Sequence, residues 1–260
     1  MGVDDNHIIQ VDLEDRRNKN LRNPDVLLAH IDSKMKDNDM YYILLDEVQC
    51  VKDFEDVLNS YLKIENADIY VTGSNSKFLS TDIITEFRGR GTQICEHPLS
   101  FAEIMSVDQR HPIDVWNDYY TYGGLPLVLS LSTDEAKESY LKDLYAKVYL
   151  TDIKDRYSIR CDSELQELLQ IIASTIGSPT NPSKLENTFK SVKNVTLSSK
   201  TINTYLSYLE DAFLIEKSIR YDIKGKKYIN TLAKHYFTDM GIRNAILGFR
   251  KWKKTILWKM

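Results

Sequence analysis

The sequence lacks several features that would assign it to a specialised class of proteins. Its three cysteines, Cys50, Cys95 and Cys161, are far apart and form no C-x-x-C pair, which argues against a structural zinc site or a disulfide framework. Its longest apolar runs, such as residues 41–45, are too short to cross a bilayer. The first residues lack a basic segment followed by an apolar one, so no signal peptide is predicted. These absences favour a cytoplasmic protein without a membrane partner.

Charge is distributed unevenly along the chain, although the net charge is only −4. Residues 1–110 carry 12 Lys and Arg against 21 Asp and Glu, whereas residues 191–260 carry 14 against 5. A strongly basic segment is typical of proteins that contact nucleic acid, which makes DNA a candidate partner of the C-terminal third. The alternative is that this basic surface only keeps the protein in solution or docks against the acidic part.

Short apolar runs alternate with helical patterns in the first hundred residues. Strands are predicted over residues 8–13, 41–45, 67–72 and 92–99, and helices over residues 23–35, 54–62 and 78–87. This alternation predicts an α/β fold with a parallel sheet. The uninterrupted apolar run at 41–45 predicts a strand that is buried on both faces.

From about residue 101 the pattern becomes predominantly helical. Helices are predicted over residues 112–122, 134–157, 163–176, 182–192 and 198–211, with a connection at 177–182 that is rich in Gly, Ser, Pro and Asn. Two strands, at 213–221 and 226–230, would be joined by a turn at 222–225. A helix pair followed by a hairpin has the outline of a winged helix, although that name already depends on resemblance.

The most informative feature is the acidic pair Asp46-Glu47, which directly follows the apolar run. Carboxylates at the carboxyl end of a buried parallel strand lie where open α/β sheets bind ligands, and a metal ion would offset the cost of burying them. In P-loop ATPases this is the Walker B arrangement: the aspartate holds Mg²⁺ and the glutamate orients the attacking water. The alternative is a strand that ends in a solvated turn.

Two further segments fit the same kind of site. The next strand ends at Thr72-Gly-Ser-Asn75, where Ser74 or Asn75 could contact a γ-phosphate or the attacking water; an ordinary turn is the alternative. Arg88 and Arg90 lie between a predicted helix and strand, where an arginine finger acting on a neighbouring subunit would lie. They could equally be exposed arginines in a loop.

Several ordered motifs resemble one family, the bacterial and archaeal AAA-type P-loop ATPases whose core is followed by a lid, a winged helix and a nuclease-like domain of unknown function. The resemblance covers roughly residues 11–248. The motifs are Ile43-Leu-Leu-Asp-Glu-Val-Gln49, Val71-Thr-Gly-Ser-Asn-Ser76, Arg88-Gly-Arg90 with His97-Pro-Leu-Ser-Phe-Ala-Glu103, Tyr122-Gly-Gly-Leu-Pro126, Tyr205-Leu-Ser-Tyr-Leu-Glu-Asp211 and Lys234-His-Tyr-Phe-Thr-Asp-Met-Gly241.

The resemblance implies roles for individual residues and for ATP and Mg²⁺ as ligands. Asp46 would hold Mg²⁺ and Glu47 would activate water. Ser74 or Asn75 would be the sensor, and Arg88 or Arg90 the finger of a homo-oligomer. In the winged helix Ser199, Lys200, Thr201 and Asn203 would face DNA, an assignment that no motif fixes.

The phosphate-binding motif G-x-x-x-x-G-K-[S/T] is not present among these 260 residues; the Gly225-Lys226 pair is followed by lysine and comes after Asp46. The family's P-loop strand would precede Val3, so the resemblance predicts an inactive fragment, without the P-loop and without the nuclease-like domain. Within it, the expected parts are an incomplete AAA-type core over residues 1–106, a helical lid over 107–178, a winged helix over 179–245 and a basic tail over 246–260. The alternatives are a non-catalytic winged-helix DNA-binding or scaffold protein and a degraded relic with no function of its own.

Overall fold

The structure, a computed structural model, describes residues 3–73, 91–92, 94–159, 162–193, 197–219 and 232–249. It divides into two compact units, Met1–Cys95 and Glu96–Met260. The strands of the first unit are β1 (Ile8–Asp12), β2 (Tyr41–Asp46) and β3 (Ala67–Val71), and its helices are α1 (Pro24–Asp32) and α2 (Phe54–Tyr61).

The three strands of the first unit form a parallel sheet in the order β1-β2-β3. Each crossover contains one of the two helices, as the alternation of patterns predicted. Helix α1 begins where the sequence indicates: the Asn23 side chain accepts hydrogen bonds from the backbone N–H groups of Asp25 and Val26, and Pro24 occupies the first turn. The expectation of a parallel α/β sheet is confirmed.

The core of the first unit lies on one side of this sheet. Ile43 and Leu45 of β2 are buried, whereas Tyr42 and Leu44, which point to the other side, are only half-buried, and Tyr70 of β3 is exposed. Among the described residues both helices pack their apolar positions against a single face, so β2 alternates in burial and the expectation of burial on both faces is wrong. The core side chains are Ile9, Val11, Leu13, Leu21, Leu27, Ile31, Tyr41, Ile43, Leu45, Val48, Val51, Phe54, Val57, Leu58 and Tyr61.

The strand predicted over residues 92–99 is also wrong for the residues that can be described, which are 92 and 94–99. They form no strand, and Ile94 is exposed. An extended segment becomes a strand only when its backbone pairs with a neighbour, and in the described segments this one has no strand partner. The helix predicted over residues 78–87 lies outside the described residues.

The second unit is mainly helical. Its helices are α3 (Phe101–Val107), α4 (Pro112–Tyr122), α5 (Pro126–Ser130), α6 (Asp134–Asp143), α7 (Thr151–Tyr157), α8 (Asp162–Ser174), α9 (Pro182–Thr188), α10 (Ser199–Asp211) and α11 (Met240–Ile246). A π-helical segment, Leu144–Leu150, joins α6 to α7 and makes the continuous helical stretch that the periodicity predicted. In the described segments no helix is long and apolar enough to traverse a bilayer.

The predicted strand pair is only partly reproduced. Strand β4 (Ile215–Ser218) lies within its predicted range, and it pairs antiparallel with β5 (Lys234–Phe237), which the periodicity did not predict. The strand expected at residues 226–230 lies outside the described residues, as does the turn expected at 222–225. Helices α9 and α10 are followed by β4 and β5, but the described residues do not include the whole predicted strand pair. The winged helix therefore stays a prediction.

Two of the family-like motifs meet in a structure that we call the glycine clasp, formed by Gly123, Gly124, Asp239 and Gly241. The buried Asp239 carboxylate accepts hydrogen bonds from the backbone N–H of Gly124, at 2.8 Å, and of Ile242, at 3.0 Å. A Cβ on Gly124 would lie 2.0 Å from the Leu99 carbonyl oxygen, and one on Gly241 would lie 2.1 Å from the Tyr122 carbonyl oxygen. Glycine is required where backbones approach so closely.

Helix α11, which contains Gly241 of the clasp, makes further hydrogen bonds to distant parts of the second unit. The buried Arg243 guanidinium donates to the Ala173 carbonyl oxygen at 2.9 Å, and Asn244 Nδ2 donates to the carbonyl oxygens of Tyr120, at 3.0 Å, and Thr121, at 2.9 Å. These bonds satisfy carbonyl groups near the ends of α4 and α8, where a helix lacks partners of its own. The motifs around residues 122–126 and 234–241 thus have a structural role here.

Candidate functional site

Asp46 is the last residue of β2, the central strand of the parallel sheet, and its side chain is exposed. The hydroxyl of Thr72, at the end of β3, donates to Asp46 Oδ1 and accepts a hydrogen bond from the backbone N–H of Glu47 at 3.2 Å. Thr72 therefore fixes the Asp46 carboxylate at the carboxyl edge of the sheet while leaving it open to solvent. Parallel α/β sheets bind ligands at this edge.

Glu47 has an unusual backbone conformation, left-handed with φ 52° and ψ 49°. Residues other than glycine rarely adopt it, because Cβ then approaches the following carbonyl oxygen. The half-buried side chain accepts a hydrogen bond from Gln49 Nε2 at Oε2, and the backbone N–H of Val48 donates to the Thr72 carbonyl oxygen at 3.1 Å. Strained backbone at the tip of a strand is found most often at functional sites.

The neighbouring strand adds a third carboxylate to this edge. Asp12, the last residue of β1, is paired in register with Asp46, and its Oδ1 accepts hydrogen bonds from the backbone N–H of Glu14, at 2.9 Å, and Asp15, at 3.0 Å. Carboxylate oxygens are the ligands that Mg²⁺ prefers in proteins. Asp46, which is exposed and accepts a hydrogen bond from the Thr72 hydroxyl, fits such an ion. The Asp12 carboxylate is instead occupied by its hydrogen bonds to the backbone of Glu14 and Asp15.

The remaining predicted catalytic residues are not placed by the structure. Ser74, Asn75, Arg88 and Arg90 lie outside the described residues, so their roles stay predictions. Thr72 is the residue that sequence reasoning missed. It was quoted only as part of the strand tip, and what brings it to Asp46 is the register between β2 and β3, in which Leu45 pairs with Val71.

The four residues assigned to a DNA contact lie at the start of α10 and differ in surroundings. Lys200 and Asn203 are exposed, as a nucleic-acid contact requires. Ser199 and Thr201 are half-buried: the Ser199 N–H donates to Glu186 Oε2 at 3.0 Å, and the Thr201 N–H donates to Ser198 Oγ, which caps the helix, at 3.1 Å. These two take part in forming the helix end.

A second group of possible metal ligands lies at the opposite, amino-terminal edge of the sheet. His7 Nε2 lies 3.2 Å from Asp37 Oδ1 and 3.9 Å from Asp39 Oδ2. The backbone N–H of Asp39, and then His7, hold the pKa of Asp37 below its usual value. Both carboxylates are exposed, and the His7–Asp37 hydrogen bond accounts for the arrangement without an ion.

Comparison with known proteins finds two family models along the chain. The AAA domain matches residues 2–105, and the domain of unknown function (DUF8612) matches residues 113–253, more than half of the chain. An uncharacterized protein of Haemophilus influenzae is 36% identical over 212 residues, which are 80% of this chain and 52% of that protein. One of Methanocaldococcus jannaschii is 28% identical over 227 residues, 83% of this chain and 50% of that protein. The chain thus spans about half the length of these curated relatives.

Among solved structures, that of the Aeropyrum pernix ORC1 protein in complex with DNA is similar at a TM-score of 0.39 and 11% identity, covering 93% of this chain and 77% of that one. A similarity this low carries no argument about function. The family models support the AAA-type part of the resemblance, and neither of them tests the winged helix or the nuclease-like domain. With an AAA domain matched ahead of it, the chain belongs to the family defined by the domain of unknown function DUF8612.

Proposed function

We propose that this chain contributes the Mg²⁺- and water-handling half of an AAA-type ATP-hydrolysing module. The observation that carries the proposal is the position of Asp46 and Glu47 at the tip of the central parallel strand, with Thr72 bonded to both. The match of residues 2–105 to the AAA domain supports it.

The proposed roles follow from what each side chain can reach. Asp46, oriented by the Thr72 hydroxyl, holds Mg²⁺ directly or through its water shell. Glu47, with one oxygen engaged by Gln49, directs its other oxygen toward the water that attacks phosphorus and accepts the proton. Bound Mg²⁺-ATP supplies the phosphoryl group and its charge neutralisation. Ser74 or Asn75 as sensor, and Arg88 or Arg90 as finger, complete the proposal.

These 260 residues should not hydrolyse ATP by themselves. Most nucleotide affinity in P-loop ATPases comes from backbone N–H groups and a lysine of the G-x-x-x-x-G-K-[S/T] loop, and this sequence has no such motif. We expect no turnover above background in a phosphate-release assay. Turnover that Glu47→Gln abolishes would overturn this expectation.

The positive test supplies a phosphate-binding loop. A chain in which a strand and a helix with a G-x-x-x-x-G-K-[S/T] loop are added ahead of β1 should bind Mg²⁺-ATP and hydrolyse it. Glu47→Gln should lower turnover by about 100-fold, within the range of general-base effects, with nucleotide binding retained. Asp53→Asn, which changes an exposed acid of the same unit, serves as the control. Hydrolysis that is indifferent to Glu47→Gln would refute the assignment.

A second candidate function is non-catalytic DNA binding, favoured by the basic composition of residues 191–260 and by the exposure of Lys200 and Asn203 on α10. If it is correct, fluorescence anisotropy with duplex DNA should give an affinity that falls steeply with salt, because phosphate contacts release counterions. Lys200→Ala should reduce the salt dependence. An affinity that ignores salt would count against this function.

A further inference from the structure

A cavity of about 170 Å³ lies within the second unit, between the start of α9, one face of α10 and the paired strands β4 and β5. It differs from the Asp46 edge in location and chemistry, and nothing in the proposed hydrolysis uses it. Both polar and apolar side chains form its wall, among them Asn203, Leu206, Glu210, Lys217, Ala233 and His235.

His235 is the most deeply buried polar residue in the wall of this cavity. Its side chain is only 4% exposed, and among the described residues neither ring nitrogen has a hydrogen-bond partner. The nearest charged atom is Glu210 Oε1, 3.8 Å from Nε2, which is too far for a hydrogen bond. Buried polar atoms in folded proteins are nearly always bonded, so two unbonded nitrogens on the wall of a cavity indicate a missing partner.

The charge state of the site limits what that partner can be. Burial, and then the nearby Lys217, hold the pKa of His235 below its usual value, so the ring is neutral, with one nitrogen donating and the other accepting. Burial raises the pKa of Glu210, and Lys217 acts against that rise. Lys217 is the direct cross-strand neighbour of His235. One ammonium group and one carboxyl group thus face the same space.

These groups favour an uncharged ligand that both donates and accepts hydrogen bonds. A metal ion is disfavoured because the described wall offers one imidazole and one carboxylate, short of the three or four protein ligands of a zinc site, and Lys217 repels a cation. The volume exceeds that of one water molecule and matches an aromatic ring, since a 150 Å³ cavity holds benzene. Leu206, Ala233 and Pro182 supply apolar surface for a flat ring.

We propose that this cavity binds an uncharged planar heterocycle of nucleobase size, held by hydrogen bonds to His235 and Glu210 and by the side-chain amide of Asn203. An asparagine amide matches the adjacent donor and acceptor of a base edge, as it does for adenine in DNA complexes. The base has two possible sources, a free small molecule or an unpaired base of a single strand. Both present the same edge.

The test is an NMR titration that follows the ring nitrogens of His235 in the full chain. The probes are adenine, cytosine and thymine as free bases, and single-stranded octamers of dA, dC and dT. A base that occupies the cavity should shift the His235 nitrogen signals in a saturable manner. Asn203→Leu should weaken the binding seen in the His235 signals at least about tenfold, the effect of one lost hydrogen bond, and His235→Phe should do the same when the backbone amide signals of Leu206 and Ala233 are followed instead. Asn203 is exposed, so its replacement keeps the test informative if the histidine variant does not fold.

His30→Phe, which changes a half-buried histidine of the first unit, is the matched control and should leave the titration unchanged. Saturable shifts with free bases identify a small-molecule site, and shifts with octamers alone identify a site for an unpaired base. If neither kind of probe moves the His235 signals, or if the shifts persist in Asn203→Leu at the original affinity, the proposal is wrong and the cavity holds water.

Discussion

Single residues at the carboxyl edge of the sheet combine local strain with exposed charge. Glu47 keeps a left-handed backbone although glycine would adopt it at lower cost, and Asp53, six residues later, has the same φ of 52°. The carbonyl oxygen of each residue accepts a backbone hydrogen bond from three residues later, from Cys50 and Asp56 respectively. We propose that Glu47 is retained in spite of this strain because its carboxylate is needed to activate water.

We expect Glu47→Gly to be more stable than Glu47→Ala by about 0.5–1 kcal/mol, because the relief of left-handed strain exceeds the entropic cost of glycine. Both variants lose the Gln49 hydrogen bond, so the difference between them reports the backbone strain. Urea unfolding of the three proteins measures the difference. Asp53→Gly, with the same φ, is the matched control and should gain a similar amount. Equal stabilities of the alanine and glycine variants would contradict the assignment of strain.

Asp239 gives a residue-level prediction that depends on pH. Burial raises its pKa, although backbone N–H groups of Gly124, Ile242 and Gly241 act against the rise. A carboxyl group with a raised folded pKa binds more protons in the native state, so its contribution to stability is largest below the unfolded pKa of about 3.9 and is lost as pH rises through the folded pKa. The free energy of unfolding of the wild type minus that of Asp239→Asn should therefore increase as pH falls from 7 toward 4.

Asp37 supplies a control of opposite sign for that pH series. Its pKa is lowered, mainly by the backbone N–H of Asp39, so the stability of the wild type relative to Asp37→Asn should decrease as pH falls through the folded pKa. Urea unfolding at several pH values measures both differences. If both stability differences, wild type against Asp239→Asn and wild type against Asp37→Asn, changed in the same direction with pH, burial would not be what sets the pKa of Asp239.

At the scale of elements, the glycine clasp fixes the ends of α4 and α11 to each other. Gly124→Ala would place a Cβ 2.0 Å from the Leu99 carbonyl oxygen. Because that oxygen belongs to the backbone, it cannot easily move to remove the steric clash. We expect a loss of about 1–3 kcal/mol or more in the free energy of unfolding, as for other overpacked sites, measured by urea unfolding followed by tryptophan fluorescence. Gly91→Ala is the control, because an added Cβ there meets nothing within 4 Å. A loss no larger than that of the control would contradict the close approach.

Most elements could be predicted from the sequence because their signals are local. The start of helix α1 is predicted by the capping residue Asn23 and by Pro24. Helix α10 is predicted by the capping residue Ser198 and by its apolar positions at helical spacing. Strand β5 is only four residues long, and its pairing with β4 depends on residues far away in the chain. The prediction of a strand at residues 92–99 is wrong for the same reason, because the sequence of one segment does not show whether its backbone pairs with another strand.

The candidate site shows the same division between local and distant signals. Asp46 and Glu47 follow the apolar run directly and were predicted from it. Thr72 was missed because it reaches Asp46 only through the register of β2 and β3. His235 was missed as a candidate site residue because its cavity is formed by α9, α10 and the strands β4 and β5, which are separated along the sequence.

For the molecule as a whole, the two units have cores drawn from separate parts of the chain. The core of the first unit uses residues 9–61, and that of the second uses residues 122–246. We expect residues 96–260 alone to unfold cooperatively in urea, because their buried apolar surface is internal to that segment. Near-ultraviolet circular dichroism and tryptophan fluorescence should give coincident transitions. A fragment with gradual, probe-dependent unfolding would show that the second unit needs the first.

The glycine clasp also has a consequence for the order in which the protein becomes structured during synthesis. Asp239 lies 115 residues after Gly124, its hydrogen-bond donor, and Asn244 lies 124 residues after Tyr120, its acceptor. Helix α4 therefore leaves the ribosome long before the residues that secure its end, while the first unit is already fully synthesised. We therefore expect the end of α4 to stay frayed, and accessible to chaperones and proteases, until Asp239 and Asn244 have emerged.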